Sequence, residues 1–148
     1  LKNILVAIDF SDVTNKTIET AAEIALSFSS KLWLIHVAAP DPEFIGYETG
    51  PQTERNWRAA TLRKEHRDIQ AKASELESKG INVTSLLIQG DTAEAILAQA
   101  NKLQADLIVI GSHGRSALYK TLVGSVSEGV IRQSSCPVLL VPAKNNES

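Results

Sequence analysis

At 148 residues, with 43% hydrophobic and 22% charged side chains, the chain has the size of one domain and can bury a core without disulfides or metal. A formal net charge of −2 excludes a general nucleic-acid binder, which is normally basic, so any anion site must be local. Cys136 is the single cysteine, and His36, His66 and His113 lie far apart without metal-ligand spacing, so neither a disulfide framework nor a metal site is expected.

No apolar stretch approaches the roughly 18 residues that cross a bilayer. The first segment reads as a strand and not a signal peptide, so the expectation is a cytoplasmic protein without membrane insertion. Five short apolar runs alternate with stretches of helical period. The first, Ile4 to Ile8, ends at Asp9. Thr14 to Ser29 follows, with Ile18, Ala21, Ala22 and Ala25 on one helical face and Ser11 or Asp12 as the expected N-cap. Leu32 to Val37 is the second strand. Residues 39–52 carry Pro40, Pro42, Gly46, Gly50 and Pro51, which predicts a long loop, a functional cover or mobile segment.

A helix from about Glu54 to Lys79 sets Leu62, Ile69, Ala73 and Leu76 on one stripe, with a solvated opposite face, and stops at Gly80. Val83 to Ile88 is the third strand. Asp91 and Glu94 form a capping box for a helix that buries Ala93, Ile96, Leu97, Ala100 and Leu103. The fourth strand is 107–110, a short helix opens near Ser125, and 138–141 is the fifth strand.

Strands apolar on both faces and separated by helices define a parallel sheet covered on each side. Right-handed crossovers make a doubly wound open sheet the natural solution. Ligands of such sheets sit beyond the carboxyl ends of strands where the winding reverses. Asp9, His36-Val37 and Gly111 all fall at such ends. Gly111 and Gly114 permit positive φ and close approach of a phosphate. Gly124 and Ser125 at a helix start add N–H donors, a hydroxyl and the positive end of the helix dipole. The loop is neither a Walker A motif nor a dinucleotide fingerprint, because no Gly-x-Gly-x-x-Gly occurs and Val130-Ile131 follow Gly124-x4-Gly129. No Gly-x-Ser-x-Gly nucleophile elbow occurs either.

The signature Gly111-x2-Gly114-x9-Gly124-Ser125, together with the segment Lys2 to Ser11, His36-Val37 and Cys136 to Val141, resembles the universal stress protein family, in its ATP-binding subclass. The similarity covers essentially the whole chain and is least characteristic over residues 39–60. It implies an α/β fold of five parallel strands in the order 3-2-1-4-5, Rossmann-like and of the adenine nucleotide alpha hydrolase kind. It further implies that Ala7, Ile8 and Asp9 line the adenosine end, with the Asp9 carboxylate accepting from ribose hydroxyls and Val37 offering backbone to adenine. Gly111, Ser112, His113, Gly114, Arg115, Ser116 and Ala117 would wrap ribose and phosphates, and Gly124, Ser125 and Val126 would hold the phosphate tail. Ala7-Ile8 stand where members often carry Pro or a polar residue, which bears on fine adenine contacts. The implied ligand is ATP, with Mg2+ as a companion of the phosphates, although the chain has no dedicated carboxylate cluster for it.

Several of these residues have plainer readings. Asp9 also fits a helix N-cap, though its place beside the glycine loop favours the ribose. His113 reads as a contributor of backbone more than as a general base, since no acidic partner or nucleophile accompanies it. Arg115 and Lys120 read equally as phosphate cations and as surface charges. His36 reads as a packed or hydrogen-bonded histidine, Cys136 as a buried small hydrophobe, and Trp33 and Trp57 as packing residues.

The last strand, Val138-Leu139-Leu140-Val141, is apolar yet falls at a sheet edge in the implied order. Pairing with the same strand of a second copy about a twofold axis is therefore expected, and the resemblance also implies a homodimer. The expected function is an ATP-binding, nucleotide-controlled homodimeric regulator in the stress response, acting on protein partners that these residues do not identify. Three alternatives stand beside it. They are slow ATP hydrolysis or phosphoryl transfer using Ser125, His113 and Arg115, binding of AMP or cyclic AMP, and a nucleotide-free dimeric scaffold.

Overall fold

The computed structural model describes residues 1–10, 13–38, 52–112 and 124–142, the stretch 52–58 as backbone alone. Its strands are β1 (Asn3–Ile8), β2 (Lys31–Ala38), β3 (Asn82–Gln89), β4 (Leu107–Gly111) and β5 (Val138–Val141). Between them run the helices α1 (Thr14–Phe28), α2 (Gln52–Ser78), α3 (Thr92–Leu103) and α4 (Ser125–Gln133). All strand pairs are parallel, and the sheet order is β3-β2-β1-β4-β5, as expected.

Side chains alternate across a strand, and on β1 that alternation feeds two cores. Ile4, Val6 and Ile8 join the α1 stripe Ile18, Ala21, Ala22 and Ala25 and the α2 residues Ile69, Ala73 and Leu76. Leu5 and Ala7 face the other way, into a cluster with Ile35, Val37, Ile108 and Ile110, closed by Ile96 and Ala100 of α3 and Val130 of α4. Ile4, Leu5, Leu34, Ile35, Ile108 and Val109 have no exposed surface. Each such side chain contributes about 1.5–3 kcal/mol relative to exposure, so β1, β2 and β4 form a rigid floor for whatever sits on their carboxyl ends.

Element ends show where local signals gave way to packing. α1 begins after Val13, which makes no side-chain cap bond. The Thr17 amide and hydroxyl both donate to the Val13 carbonyl, at 2.9 and 2.8 Å, closing the first turn there. The expected caps Ser11 and Asp12 lie outside the described residues. Asp91 does cap α3, accepting from the Glu94 amide at 3.2 Å. Gly80 stops α2 as expected, with φ +89. The Ile81 amide reaches back to the Leu76 carbonyl at 3.3 Å, and both side chains are buried in the same core.

Other residues expected to be buried are only partly so. Leu62 is half-buried, and Ala93, Leu97 and Leu103 pack partly buried around Ile96 and Ala100. Cys136 is half-buried, not buried. The Ser134 hydroxyl donates to the Cys136 carbonyl at 2.7 Å and accepts from its amide at 3.2 Å, which shapes a tight turn into β5. Trp33 packs half-buried, with its indole N–H on Asn3 Oδ1 at 3.2 Å and the Lys31 ammonium 4.9 Å from the ring centroid. The Trp57 side chain, residues 39–51 of the loop expected over 39–52 and the segment from His113 to Lys120 lie outside what is described, and Gln52, the last residue of that expected loop, instead opens α2.

Candidate functional site

The winding reverses at β1. The chain passes outward through β2 and β3, then returns to place β4 and β5 on the other side. Carboxyl ends of neighbouring strands diverge at such a reversal and leave a crevice. Asp9, half-buried, stands one residue beyond β1, with the Thr14 hydroxyl 3.5 Å from its Oδ1, the outer limit of a hydrogen bond. Phe10 follows at φ 59, a left-handed conformation that non-glycine residues adopt at a cost. The strand direction therefore ends abruptly behind Asp9.

On the far side of the crevice, the ends of the glycine loop are tied together. The Gly124 amide donates to the Ser112 carbonyl at 2.6 Å, and the Ser112 amide to the Val141 carbonyl at 2.8 Å. The hydroxyl of Ser127, one turn into α4, donates to the Gly111 carbonyl at 2.6 Å. Ser112 and Gly124 thus stand side by side at the end of β4. Gly124 caps α4 in an extended conformation with no side-chain cap bond, so the cap residue itself supplies no acceptor to the first-turn N–H groups. Ser125 is exposed at that end and Val126 half-buried. The Glu128 carboxylate, which would repel an anion there, is drawn one turn away by Arg132 at 2.7 Å.

Gly111 lacks the positive φ expected of it and has a packing role besides. Among the described glycines positive φ occurs at Gly80 and Gly90, not at Gly111. A Cβ at Gly111 would lie 2.5 Å from Val13 Cγ1 and 3.5 Å from Thr17 Oγ1. Glycine is needed because the start of α1 packs directly on β4.

Ala7, Ile8 and Val37 are at most 8% exposed, with their side chains in the cores, so a ligand at this edge meets mainly their main-chain atoms. The structure therefore brings Ala7, Ile8, Asp9, Val37, Gly111, Ser112, Gly124, Ser125 and Val126 to one edge of the sheet. His113, Gly114, Arg115, Ser116 and Ala117 lie outside the described residues. Among the described residues, no group of three His, Cys, Asp or Glu side chains could hold a metal ion, and no helix is long and apolar enough to cross a membrane.

Beneath this edge lies His36, 5% exposed. Its Nδ1 is 2.9 Å from the Ile8 carbonyl and its Nε2 is 2.8 Å from Glu65 Oε2 on α2. The Phe10 ring meets it edge-on at 4.8 Å between centroids. The histidine is both packed and hydrogen-bonded. Sequence reasoning missed Glu65, Ser127 and Val13. Ser127 was findable as a polar residue three positions before Val130 on the inward face of α4, whereas nothing local marks Glu65 or Val13.

Fold and edge together define a doubly wound α/β protein whose switch point combines the Asp9 carboxylate with the hydrogen-bonded pair Ser112 and Gly124 at a helix N-terminus. The chain belongs to the universal stress protein family, whose model matches residues 1–142. It is 32% identical over 149 residues to a universal stress protein of Methanocaldococcus jannaschii, covering 99% of this chain and 85% of that protein. The solved structure of MJ0577, another protein of that organism, superposes with a TM-score of 0.83 at 29% identity, covering 98% of each chain. A universal stress protein solved in complex with cAMP shares the fold at a TM-score of 0.72 and 23% identity, covering 97% of this chain and 98% of that one.

Proposed function

We propose that this protein binds ATP at the carboxyl edge of β1 and β4 and acts as a nucleotide-controlled homodimeric regulator in the stress response. The observation that carries the reading is the loop base. Ser112 and Gly124 are joined by a hydrogen bond, and α4 opens directly after it from a glycine cap that offers its N-terminal amides no side chain of its own. A phosphate tail is the natural partner for such amides, through both hydrogen bonds and the helix dipole. In this reading Asp9 accepts from the ribose hydroxyls, and Ala7, Ile8 and Val37 meet the adenosine with backbone. Gly111, Ser112, His113, Gly114, Arg115, Ser116 and Ala117 enclose ribose and phosphates, and Gly124, Ser125 and Val126 hold the tail. Mg2+ would ride on phosphate and water oxygens, as it commonly does.

Denaturing freshly purified protein and separating the released small molecules tests this reading. ATP in the supernatant, or micromolar ATP affinity of the stripped protein, is the expected result. Bound AMP or cyclic AMP would move the assignment to another adenine nucleotide. No affinity for any of the three would reject it. Phosphate release from ATP, with Gly114→Val as the control, separates turnover from binding.

The dimer reading rests on β5, an edge strand on which Val138, Leu139 and Leu140 are only half-buried. An apolar edge with unpaired backbone is normally covered, and a second β5 about a twofold axis would cover it. Sedimentation equilibrium should give twice the chain mass. A monomer at all concentrations would reject this part of the proposal.

A further inference from the structure

We propose that His36 is a positioning residue of the nucleotide site, fixing the Ile8–Asp9 peptide through its Nδ1–H. The inference rests on the adenine-nucleotide reading above. A carbonyl oxygen only accepts hydrogen bonds, so the 2.9 Å contact with Ile8 requires the hydrogen on Nδ1. On the opposite side, 2.8 Å from Nε2, the Glu65 carboxyl either accepts from a doubly protonated ring or donates to a singly protonated one. Both arrangements keep Nδ1–H aimed at Ile8. Glu65 thereby selects the ring's orientation from α2, as carboxylates do for functional imidazoles elsewhere.

The held peptide is the one that carries Asp9. A trans peptide points its C=O and N–H in opposite directions, so anchoring the Ile8 carbonyl also sets the Asp9 amide and the direction in which its side chain departs. Phe10, in its left-handed conformation, packs edge-on against the same imidazole, so the ring braces the turn on both sides of Asp9. His36 lies opposite Ile8 in the β1–β2 register and is bonded covalently to Val37. One side chain thus joins the two strand ends that would meet the adenosine. An aliphatic residue would fill the same space and hold the core, but it would leave the Ile8 carbonyl without this donor.

Two amide substitutions divide the imidazole's two bonds. In His36→Asn the Nδ2 amide takes the place of Nδ1 and can donate to Ile8 but does not reach Glu65. In His36→Gln the longer side chain reaches Glu65 and leaves Ile8. ATP is titrated calorimetrically into the full-length wild type and both variants, and urea unfolding of each reports its stability. His36→Gln is expected to bind ATP about ten-fold more weakly than wild type, the scale of one lost hydrogen bond, and His36→Asn to recover affinity to within about three-fold.

Stability is expected to run the other way, lower in the Asn variant than in the Gln variant. Equal ATP affinity in both variants overturns the proposal and leaves a purely structural histidine. Imidazole 15N spectra of the wild type give a test that needs no variant to fold, since an unprotonated Nδ1 overturns it as well. If wild type takes up no adenine nucleotide, the nucleotide reading fails first and this inference with it. If wild type binds and the variants do not differ, only the inference fails.

Discussion

Gly111 shows how one residue can carry two meanings. It looks like part of a phosphate loop, and it stands at the edge where such a loop begins. Its backbone, however, needs no unusual φ, and what excludes a side chain is Val13 at 2.5 Å from the would-be Cβ. Gly111→Ala should lower stability by about 1–3 kcal/mol, the usual cost of overpacking a filled site. Adding Val13→Ala in the same chain should restore much of that loss, which urea unfolding of the two single variants and the double variant would measure. Additive losses would mean that the two residues do not press on each other. The glycine was legible in the sequence but its cause was not, because Val13 becomes a neighbour only when α1 docks on β4. His36 behaves likewise: its burial was legible from the apolar strand around it, and its partner Glu65 was not.

Helix ends tell a related story at the scale of elements. α1, α2 and α3 all stop with one residue at positive φ, namely Ser29 (53°), Gly80 (89°) and Gln104 (53°). In each case the next amide reaches back to a carbonyl five residues earlier, Ser30 to Ala25 and Ala105 to Ala100 at 2.9 Å and Ile81 to Leu76 at 3.3 Å. Only Gly80 suits that conformation, and only there was the stop legible. At Gln104 the β-carbon crowds the backbone, at a cost that glycine avoids. Gln104→Gly should therefore raise stability by about 0.5–1 kcal/mol, seen as a higher urea midpoint at unchanged m-value. A decrease would mean that the Gln104 side chain contributes contacts worth more than the strain. The sheet elements were legible almost to the residue, because two-sided burial makes their apolar runs continuous.

For the molecule as a whole, Asp106 ties the beginning of β1 to the turn before β4, at the end of the sheet away from the candidate site. Its Oδ2 accepts from the amides of Lys2 at 2.8 Å and Asn3 at 2.9 Å, and its own amide donates to the Asn3 carbonyl at 2.8 Å. Those backbone donors, Asn3 before Lys2, hold the carboxyl below its ordinary value of 3.8. A lowered folded-state value means that the ionised group stabilises the fold fully above the unfolded value. That contribution disappears as pH falls through the lowered one. Wild type should therefore exceed Asp106→Asn in stability at neutral pH, and the gap should close in acid below the ordinary carboxylate range, as thermal unfolding across pH would record. A gap that persists in strong acid would assign the difference to something other than this charge.

The sequence by itself determined the succession of strands and helices along the chain, the two-sided cores and the strand ends at which Asp9, Val37 and Gly111 stand. Each of these follows from apolar periodicity and chain handedness, which are local or topological properties. Only the tertiary structure decided that Val13 requires a glycine at 111, that Ser127 and Gly124 close the loop base, and that Glu65 holds His36 on the Ile8 carbonyl. Those are contacts between segments that packing alone brings together, and no spacing along the chain encodes them.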